Sequence, residues 1–408
     1  MARLVGATAR QRGVGRIIVG EGWRVSPPWV TRVLWCLGPL GCDGLYAEAV
    51  SEFDCVLQTV SLGQQWPTVD PFLFCVHHDD AYPLGNEQYG PDAPRAGRSI
   101  GQDFAGKDGW NLYHGDAVAG FPRHPHRGFE TVTFVRKGLV DHADSLGAAA
   151  RFGRGDVQWM TAGGGVVHSE MFPLLERLAP NPLELFQIWL NLPAADKMVP
   201  AYFTMLWADQ LPRYRVPNEG GTPAAATVTV LAGAFAGGEL EAGCPPRAPS
   251  PPPDSWAARP QADLAIWHLQ LDAGTQITLA PPVSDQAVRT VYLFEGDGLQ
   301  LGTQDLANMH AAVLRPGVPA RMVCGRRPAE LLMLQGVPLG EPVVRHGPFV
   351  MNDRAGIEAA FADYQRTGFG GWPWPEDGPV HGADPTRFAR HADGRLERRS
   401  RTSPGWAG

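Results

Sequence analysis

The chain has 408 residues, a formal net charge of -7 and 44% hydrophobic residues, which is the composition of a globular protein with room for two or more domains. A negative net charge argues against a general nucleic-acid binder, which needs a basic face, so we expect no direct nucleic-acid binding. No stretch approaches the roughly 18 consecutive apolar residues of a transmembrane helix, so we expect no membrane insertion. The 49 glycines and 38 prolines favour many short strands joined by turns.

The first 50 residues show no sustained hydrophobic period, and we interpret residues 1–50 as an N-terminal extension. The first twenty residues contain four arginines and no acidic residue, a composition that resembles an organelle transit peptide. A disordered or mis-assigned extension explains it equally well. The six cysteines are scattered without a CxxC pair, which favours free thiols in an intracellular protein. We expect a cytoplasmic or nuclear location unless the extension directs the chain to an organelle.

The first predicted strand covers residues 53–62, where apolar and β-branched residues dominate (FDCVLQTVSL). A second apolar run ends in HHDD (77–80), and a long polar, glycine-rich segment follows from 81 to about 120. Adjacent residues of a strand point to opposite faces, so at most one of the two histidines could share a site. A packing role at the surface or in a loop is our preferred interpretation of this cluster.

Two pairs of potential metal donors flank the next strands. His124 and His126 are two residues apart just before an alternating run, and His168 and Glu170 are two apart just after a glycine-rich turn. Residues i and i+2 of a strand point to the same face, so each pair can aim two donors at one point. Neighbouring strands would then form a pocket of three imidazoles and one carboxylate. The alternative is a set of core polar residues satisfied by hydrogen bonds.

The glycine-rich turn has its own interpretation. Gly163, Gly164 and Gly165 allow the backbone to turn tightly so that His168 reaches the centre of the site. A tight turn without functional meaning is the simpler alternative, and it would serve the site equally well.

The second half of the chain is also predicted to be strands and turns. A strand is expected over residues 183–192, and the composition shifts at about 214–225, where we place a domain boundary. Five strand-like segments then indicate a sandwich or small barrel: ATVTVLAGAF, ADLAIWHLQLDAG, RTVYLFEGDGLQL, HAAVLRPG and AELLMLQG. The proline run CPPRAPSPPPDSWAARP between the first two cannot occupy a central strand, and we interpret it as a surface loop.

The predicted organisation has four parts. They are the extension (1–50), a metal-binding domain (51–215), a second domain (222–355) and a C-terminal segment (356–408). The C-terminal segment should contain a short helix over residues 356–366, because apolar side chains recur there at helical spacing. The arginine-rich tail beyond it is expected to be solvated, although it could touch an acidic partner.

The two halves carry a weak internal repeat. TVTFVRKG in the first half and TVYLFEG in the second half are predicted to be equivalent strands that lead to equivalent turns. Val283 and Asp285 precede the later of these strands, whereas His124 and His126 precede the earlier one. We therefore expect one metal site, in the first half, and a degenerate second half.

Several long motifs resemble the pirin family of the cupin superfamily. They are HPHRGFETVTF, GDVQWMTAGGGVVHSEM, PNPLELFQIWLNLPAADKMVP and HGPFVMN, and the resemblance covers roughly residues 55–370. It implies an all-β fold of two tandem cupin (jelly-roll-like) β-barrels with a short C-terminal helix and a metal in the N-terminal barrel only. The extension, the segment 81–120 and the proline loop exceed the shorter family members.

The resemblance also implies a ligand set. The metal ligands fall on His124, His126, His168 and Glu170, the four donors that the spacing indicates, and the usual metal of the family is iron, most simply Fe2+. Other cupins place a carboxylate ligand where this chain has Glu130, whereas pirins supply it from the HxE pair. Glu130 is therefore expected to support the structure and not to bind the metal.

Three neutral imidazoles and a carboxylate suit a divalent transition metal such as Fe, Mn, Ni, Cu or Zn, and leave two positions of an octahedral shell open. The resemblance implies quercetin 2,3-dioxygenase-like activity on a flavonol-type aromatic substrate with dioxygen. Our own hypothesis is that Glu170 also acts as a catalytic base for the substrate hydroxyl. The alternative is a non-enzymatic, iron-dependent redox-sensing transcriptional cofactor that acts through protein partners.

Overall fold

The computed structural model describes residues 54–399, so the predicted N-terminal extension lies outside the described residues. The first half of the described chain consists mainly of strands: β1 (Val56–Ser61), β2 (Gln65–Trp66), β3 (Phe72–Tyr82), β4 (Ala119–His126), β5 (Phe129–Lys137), β6 (Leu139–Asp144), β7 (Ala149–Gly153), β8 (Asp156–Thr161), β9 (Val166–Phe172), β10 (Asn181–Asn191), β11 (Tyr202–Leu206) and β12 (Arg213–Pro217).

The second half continues in the same way: β13 (Ala225–Ala232), β14 (Glu239–Leu240), β15 (Ala265–Leu271), β16 (Gln276–Leu279), β17 (Val288–Glu295), β18 (Leu299–Leu301), β19 (Gln304–Leu306), β20 (His310–Leu314), β21 (Ala320–Cys324), β22 (Ala329–Gly336), β23 (Val344–His346), β24 (Phe349–Met351), β25 (Arg387–Arg390) and β26 (Leu396–Arg399). Short 3₁₀ turns connect some of them: Lys107–Gly109, Ala194–Asp196, Ala208–Gln210, Trp256–Ala258, Pro260–Ala262 and Gly368–Gly370.

The predicted C-terminal helix is confirmed as α1 (Arg354–Thr367). Its first turn is capped because the Asp353 side chain accepts a hydrogen bond from the Gly356 N–H at 2.7 Å. It ends at Gly368, which adopts the left-handed conformation (φ 56°) that glycine tolerates best. Within residues 54–399, none of the helices combines the length and apolar character that a membrane crossing requires.

Two sheets form the first barrel. One has the strand order β11-β8-β5-β10-β3-β2, and the other has the order β26-β25-β7-β6-β9-β4. Apolar side chains fill the space between them, among them Val135, Phe152 and Leu185. The predicted all-β class follows from the period-2 patterning of these strands and is confirmed.

The second barrel is built from an eight-stranded sheet, β1-β20-β17-β22-β15-β13-β12-β14, and a four-stranded sheet, β16-β21-β18-β19. Its interior is apolar, with Leu269, Val291 and Leu331 among its fully buried residues. The strands β23 and β24 pair as a separate hairpin that contacts α1.

A third apolar cluster joins the two barrels. Val132 and Phe134 of β5 lie in it together with Ile266 of β15 and Tyr292 of β17, and all four are fully buried. Alternate residues of β5, such as Val135, face the interior of the first barrel instead. β5 is therefore buried on both faces, which explains why its sequence is apolar or uncharged for most of its length.

The ends of the described chain are exchanged between the barrels. β1 pairs antiparallel with β20 in the second barrel, although it precedes every strand of the first. β25 pairs with β7 and so extends the first barrel from the far end of the chain. The predicted solvated tail is therefore wrong up to residue 399, because β25 is a strand of this sheet and its Arg387 is buried. The predicted domain limits stay a prediction.

The HHDD run lies within the long strand β3, which corrects the expected surface or loop position. His77 faces the interface between the barrels, where its ring stacks on Phe186 at 4.4 Å between ring centroids. His78 faces the barrel interior, because its cross-strand partner is Leu185 of the interior cluster. The two histidines thus point to opposite faces, as the strand period predicts.

A network of charged side chains crosses the interface beside the apolar cluster. Glu184 accepts hydrogen bonds from Arg136 and from His77 (3.1 Å), and Lys137 lies 2.9 Å from it. Arg136 also donates to Glu330 of the second barrel at 2.5 Å. Burial would raise the pKa of the Glu184 carboxyl, but hydrogen bonding to His77 and the charges of Arg136 and Lys137 bring that pKa down to about 2.

Glu184→Gln is expected to reduce the acid dependence of stability. The folded pKa lies below the unfolded one, so the ionised carboxylate stabilises the fold above about pH 4.5, and this stabilisation is lost as the pH falls toward 2. We expect the variant to lose about 3 kcal/mol at pH 7 and to change less between pH 5 and 3. Urea unfolding across that range measures it, with the exposed Glu87→Gln as control. Parallel curves for wild type and Glu184→Gln would contradict the assignment.

The exchanged C-terminal strand offers a further test. Arg387 donates to Asp156 at 2.6 Å, and Asp156 is fully buried. Arg387→Ala leaves that carboxylate with its hydrogen bonds from the Gly153 and Ala208 N–H groups only. We expect a loss of about 3 kcal/mol in the free energy of unfolding, the lower end for a broken buried ion pair.

The exposed neighbour Arg390 is the matched control for this variant. Arg390→Ala should change the free energy of unfolding by less than about 0.5 kcal/mol, as surface substitutions usually do. Both values come from urea titration followed by tryptophan fluorescence. Equal effects of the two substitutions would show that the tail does not depend on the buried pair.

Candidate metal centre

The predicted donor pairs lie on two neighbouring strands, β4 and β9. His124 is the direct cross-strand partner of His168, and the register shifts between Phe121 and His124. β4 is the edge strand of its sheet, which is why it tolerates two prolines, Pro122 and Pro125, that cannot donate to a ladder. The two-residue period and this register bring His124, His126 and His168 onto one interior face.

Three imidazoles converge on this face. The ring centroids of His124 and His168 are 4.4 Å apart, those of His124 and His126 are 4.8 Å apart, and those of His126 and His168 are 4.9 Å apart. One ring nitrogen from each lies within 4.8 Å of the others. His126 and His168 are buried, and His124 is partly exposed. Within residues 54–399 this is the one convergent group of three or more possible metal donors.

Several nitrogens of these rings have no partner. Nδ1 of His126 and both ring nitrogens of His168 are buried without a hydrogen bond. An imidazole buried in this way carries a desolvation cost that hydrogen bonds or metal coordination normally offset. His124 differs, because its Nδ1 lies 3.0 Å from the Pro122 carbonyl oxygen and can donate to it. That contact fixes a tautomer in which Nε2 is free to bind a metal.

The electrostatics keep the three rings neutral. Burial lowers the pKa of His124 to about 4, and it holds the pKa of His126 and His168 well below the usual range. A neutral imidazole is the form that binds a metal, so no proton has to be displaced at neutral pH. Unpaired buried nitrogens and neutral rings together fit a divalent transition metal. The absence of a thiolate at the site argues against a structural zinc centre.

Glu170 lies on the same interior face, two residues after His168. Its carboxylate accepts hydrogen bonds from Gln187 at 2.7 Å and from Thr133 at 3.2 Å, and it does not belong to the convergent histidine group. Burial raises its pKa, while the hydrogen bond from Gln187 opposes this effect. Glu170 as the fourth metal ligand therefore stays a prediction.

A fourth histidine at this site was missed by the sequence reasoning. His142 of β6 is the cross-strand partner of Glu170, and its ring lies 5.5 Å from that of His168. It is fully buried, with Nε2 at 3.2 Å from Asp144 and Nδ1 without a partner. The HxD spacing of His142 and Asp144 was the available signal, because it matches the two-residue spacing of the other pairs.

Glu130 lies on the face of β5 that points away from Thr133 and Glu170, toward the second barrel. It accepts hydrogen bonds from Thr161 at 2.7 Å and from Ser255 at 2.5 Å, and Ser255 belongs to the end of the proline-rich loop of the second half. Its cross-strand partner Leu190 lies in the cluster between the barrels. Glu130 therefore helps to join the two halves, as expected of a structural residue. Burial raises its pKa to about 7.

The glycine turn before β9 is required by close packing as well as by the turn itself. A Cβ on Gly163 would lie 2.1 Å from the Val199 carbonyl oxygen, and a Cβ on Gly165 would lie 2.6 Å from the Phe369 ring. Both residues have positive φ angles. The Gly164 carbonyl accepts a hydrogen bond from Arg127 at 2.8 Å, and Arg127 also pairs with Asp363 of α1. The turn therefore docks the C-terminal helix against the donor strands.

Two cavities in the described part of the chain lie away from the donors. The larger, of about 150 Å³, is lined by the turns at Gly138, Arg154 and Pro173–Leu183 at one end of the first barrel. The smaller, of about 10 Å³, includes Phe134 and Thr229. Access to the histidines is instead on the side of His124, the partly exposed member of the group.

Comparison with known proteins follows the same division of the chain. A family described as Pirin matches residues 56–190, and a family described as Pirin C-terminal cupin domain matches residues 266–370. Together they cover more than half of the chain. The chain belongs to the pirin family. The predicted pair of cupin domains is thereby confirmed, and this pirin carries its histidine group in the part that matches the N-terminal family.

Individual relatives agree with this assignment. A protein of Pseudomonas aeruginosa, provisionally named a quercetin 2,3-dioxygenase, is 37% identical over 61% of this pirin and 79% of its own length. Human pirin is 32% identical over 69% of this chain and 90% of its own. The crystal structure of quercetin 2,3-dioxygenase from Acinetobacter baumannii superposes with a TM-score of 0.57 at 26% identity, covering 77% of this chain and 98% of the other.

Removal of a buried donor tests the histidine group. His168→Ala is expected to lower bound transition metal to less than a tenth of the wild-type content, because one of three convergent nitrogens is lost. The fold should persist, since neither nitrogen of His168 has a hydrogen bond to lose. Elemental analysis of purified protein measures the metal, and circular dichroism checks the fold.

The control is His310→Ala in the second barrel. Nδ1 of His310 lies 3.0 Å from the Asn308 carbonyl oxygen, and His310 does not belong to the convergent histidine group. The variant should keep the wild-type metal content. Full metal content in a folded His168→Ala protein would show that the metal is bound elsewhere.

Proposed function

We propose that this pirin is a non-haem iron dioxygenase with quercetin 2,3-dioxygenase-like activity on flavonol-type substrates. Its metal would be Fe2+, held by His124, His126, His168 and Glu170. The observation that carries the proposal is the group of three convergent, neutral imidazoles, in which Nδ1 of His126 and both ring nitrogens of His168 are buried without a hydrogen-bond partner. The names of the Pseudomonas and Acinetobacter relatives support the substrate class.

The donor set explains why an oxygenase is favoured over a structural site. A divalent transition metal held by four protein ligands supplies Lewis acidity and two open positions, as the chemistry of an enediol with dioxygen requires. Hydrogen bonds also fix the proposed carboxylate ligand. Gln187 and Thr133 in particular hold the Glu170 carboxylate in place.

Glu170 is the proposed catalytic base. It follows His168 by two residues on the same face, so its carboxylate would lie beside the hydroxyl of a substrate bound at the metal. The hydroxyl proton would pass to a Glu170 oxygen as the flavonol binds, and Gln187 would keep that oxygen oriented. A carboxylate placed in this way typically contributes a rate factor of about 10² to 10⁴.

The test is metal analysis followed by aerobic turnover of quercetin by protein loaded with each candidate metal. We expect oxygen uptake that matches flavonol loss, with Fe2+ among the active metals. Glu170→Gln should lower kcat by about 100-fold, because the base is removed. Full metal content together with full turnover in Glu170→Gln would contradict the base role.

Oxygen uptake with quercetin distinguishes the enzyme from the redox-sensing cofactor. If no metal supports oxygen uptake with quercetin, the enzyme proposal is wrong for this substrate class. The alternative, a redox-sensing cofactor that acts through protein partners, would then be preferred. His168→Ala serves as the metal-free control in both experiments.

A further inference from the structure

The inserted segment between β3 and β4 forms an ordered lining beside the metal centre. Arg98 connects several residues of this segment. Its guanidinium lies 3.3 Å from the centroid of the Trp110 ring and donates a hydrogen bond to Asp103 at 2.8 Å. The Asp103 and Tyr113 backbones exchange hydrogen bonds at 2.9 and 3.0 Å. The segment therefore holds Tyr113 in a fixed position, with only 4% of its surface exposed.

Tyr113 joins two residues of β3 in a hydrogen-bonded relay. Its hydroxyl donates to Asp80 at 2.6 Å, and it lies 2.8 Å from Nδ1 of His78. The other oxygen of Asp80 accepts from the Asn111 backbone N–H at 2.8 Å and from its side chain at 3.1 Å. All of Asp80's contacts here are with donors, so it acts as an ionised acceptor.

The relay fixes the tautomer of His78. A tyrosine hydroxyl has one proton, and Tyr113 gives it to Asp80, so the contact with His78 requires Nδ1–H to donate to the tyrosine oxygen. Nε2 then carries a lone pair. Nε2 has no hydrogen-bond partner among residues 54–399, and this nitrogen is not completely buried.

The electrostatics agree with a neutral acceptor. Burial and, to a smaller extent, the neighbouring His77 lower the pKa of His78 to about 3, so the ring is uncharged at neutral pH. Burial raises the pKa of Asp80 to about 6, and hydrogen bonds from Tyr113 and Asn111 oppose that rise. Burial and the nearby Asp80 hold the pKa of the Tyr113 phenol above its usual range, so it keeps its proton.

This relay lies in the same barrel interior as the metal donors. Val76 of β3 pairs with Gln187, the residue that holds Glu170, and His78 follows Val76 by two residues on the same face. The Phe121 ring lies between the two groups, 5.9 Å from His78 and 6.3 Å from His124. Tyr113 stacks on the same ring at 5.2 Å.

The backbone of Tyr113 is also unusual. Its φ angle is 59°, in the left-handed region that aromatic residues rarely adopt. Such a conformation persists only where surrounding contacts impose it, and it is found preferentially at functional sites. Packing of the Tyr113 ring in the core would not by itself require this backbone conformation, nor a His78 Nε2 without a hydrogen-bond partner.

We propose that His78, oriented by Tyr113 and Asp80, accepts a hydrogen bond from a substrate hydroxyl remote from the metal-binding group. The site would thereby select planar aromatic substrates that carry such a hydroxyl, stacked along Phe121. This inference rests on the proposed function, because it assumes a flavonol-type substrate at the metal. It names the recognition of the part of the substrate that the metal does not touch.

The experiment compares two flavonols that share the metal-binding group. Quercetin carries additional ring hydroxyls, whereas 3-hydroxyflavone has none. Wild-type protein loaded with Fe2+ should bind quercetin without oxygen about tenfold more tightly than 3-hydroxyflavone, the size of one well-placed hydrogen bond. His78→Phe should lose this preference by weakening quercetin alone. The dissociation constants come from quenching of tryptophan fluorescence, and KM values in air should follow them.

A second variant keeps the inference testable if His78→Phe does not fold. Tyr113→Phe removes the hydroxyl that orients His78 and should lower the preference for quercetin in the same direction. Its matched control is Tyr82→Phe, which also removes a buried phenol from the same region, one that donates to the Asn111 carbonyl. Tyr82→Phe should leave the ratio of the two dissociation constants unchanged.

The outcomes distinguish this inference from the proposed function. Turnover of both flavonols by wild type with equal affinities, or an unchanged ratio in both His78→Phe and Tyr113→Phe, overturns the inference and leaves the dioxygenase proposal standing. No binding or turnover of either flavonol by metal-loaded wild type overturns both. Equal losses in Tyr82→Phe and Tyr113→Phe would assign the effect to packing and would also overturn the inference.

Discussion

The two-residue period of β4 and β9, combined with their register, is the constraint on which the first barrel depends. It places three imidazoles on one interior face and buries nitrogens that nothing in the described part of the protein satisfies. A slip of one residue would turn every donor on a strand to the opposite face. The bulge in β4, the glycine turn before β9 and the packing of α1 on that turn all serve to hold this register.

β5 and β10 connect the site to the second barrel. Their interior faces carry Thr133 and Gln187, which hold Glu170, and their outer faces carry Phe134 and Phe186, which pack in the interface cluster. The second barrel has an apolar interior and contributes its largest sheet to this interface. The second barrel therefore supports the centre indirectly, because it covers the outer face of the strands whose inner face carries Thr133 and Gln187.

The sequence predicted the local features well and the long-range ones poorly. His124, His126 and His168 could be found because strand period and spacing are local properties, and the all-β class follows from the same period. His142 was missed because its closeness to His168 depends on the order of strands in a sheet. The exchange of β1 and β25 was missed for that reason as well, since no local pattern says which barrel a strand joins.

The position of His78 illustrates the limit of composition-based reasoning. A polar run such as HHDD is usually solvated, and the strand period indicated only that its two histidines would face opposite sides, not that either would be buried. The structure divides it by face: His77 joins an ion network between the barrels, while His78 and Asp80 meet Tyr113 from a segment some thirty residues away. Pairing across that distance depends on how the inserted segment folds back, which periodicity does not encode.

The exchange of terminal strands has a consequence for the order of events during synthesis. A chain made from its N-terminus has all the histidines of the metal centre long before β25 exists, yet β25 pairs with β7 in the sheet that carries those histidines. The second barrel, in contrast, has β1 available from the start. Although domains generally fold from the N-terminus first, here the sheet that carries the histidines is complete only after all the strands of the second barrel have been made.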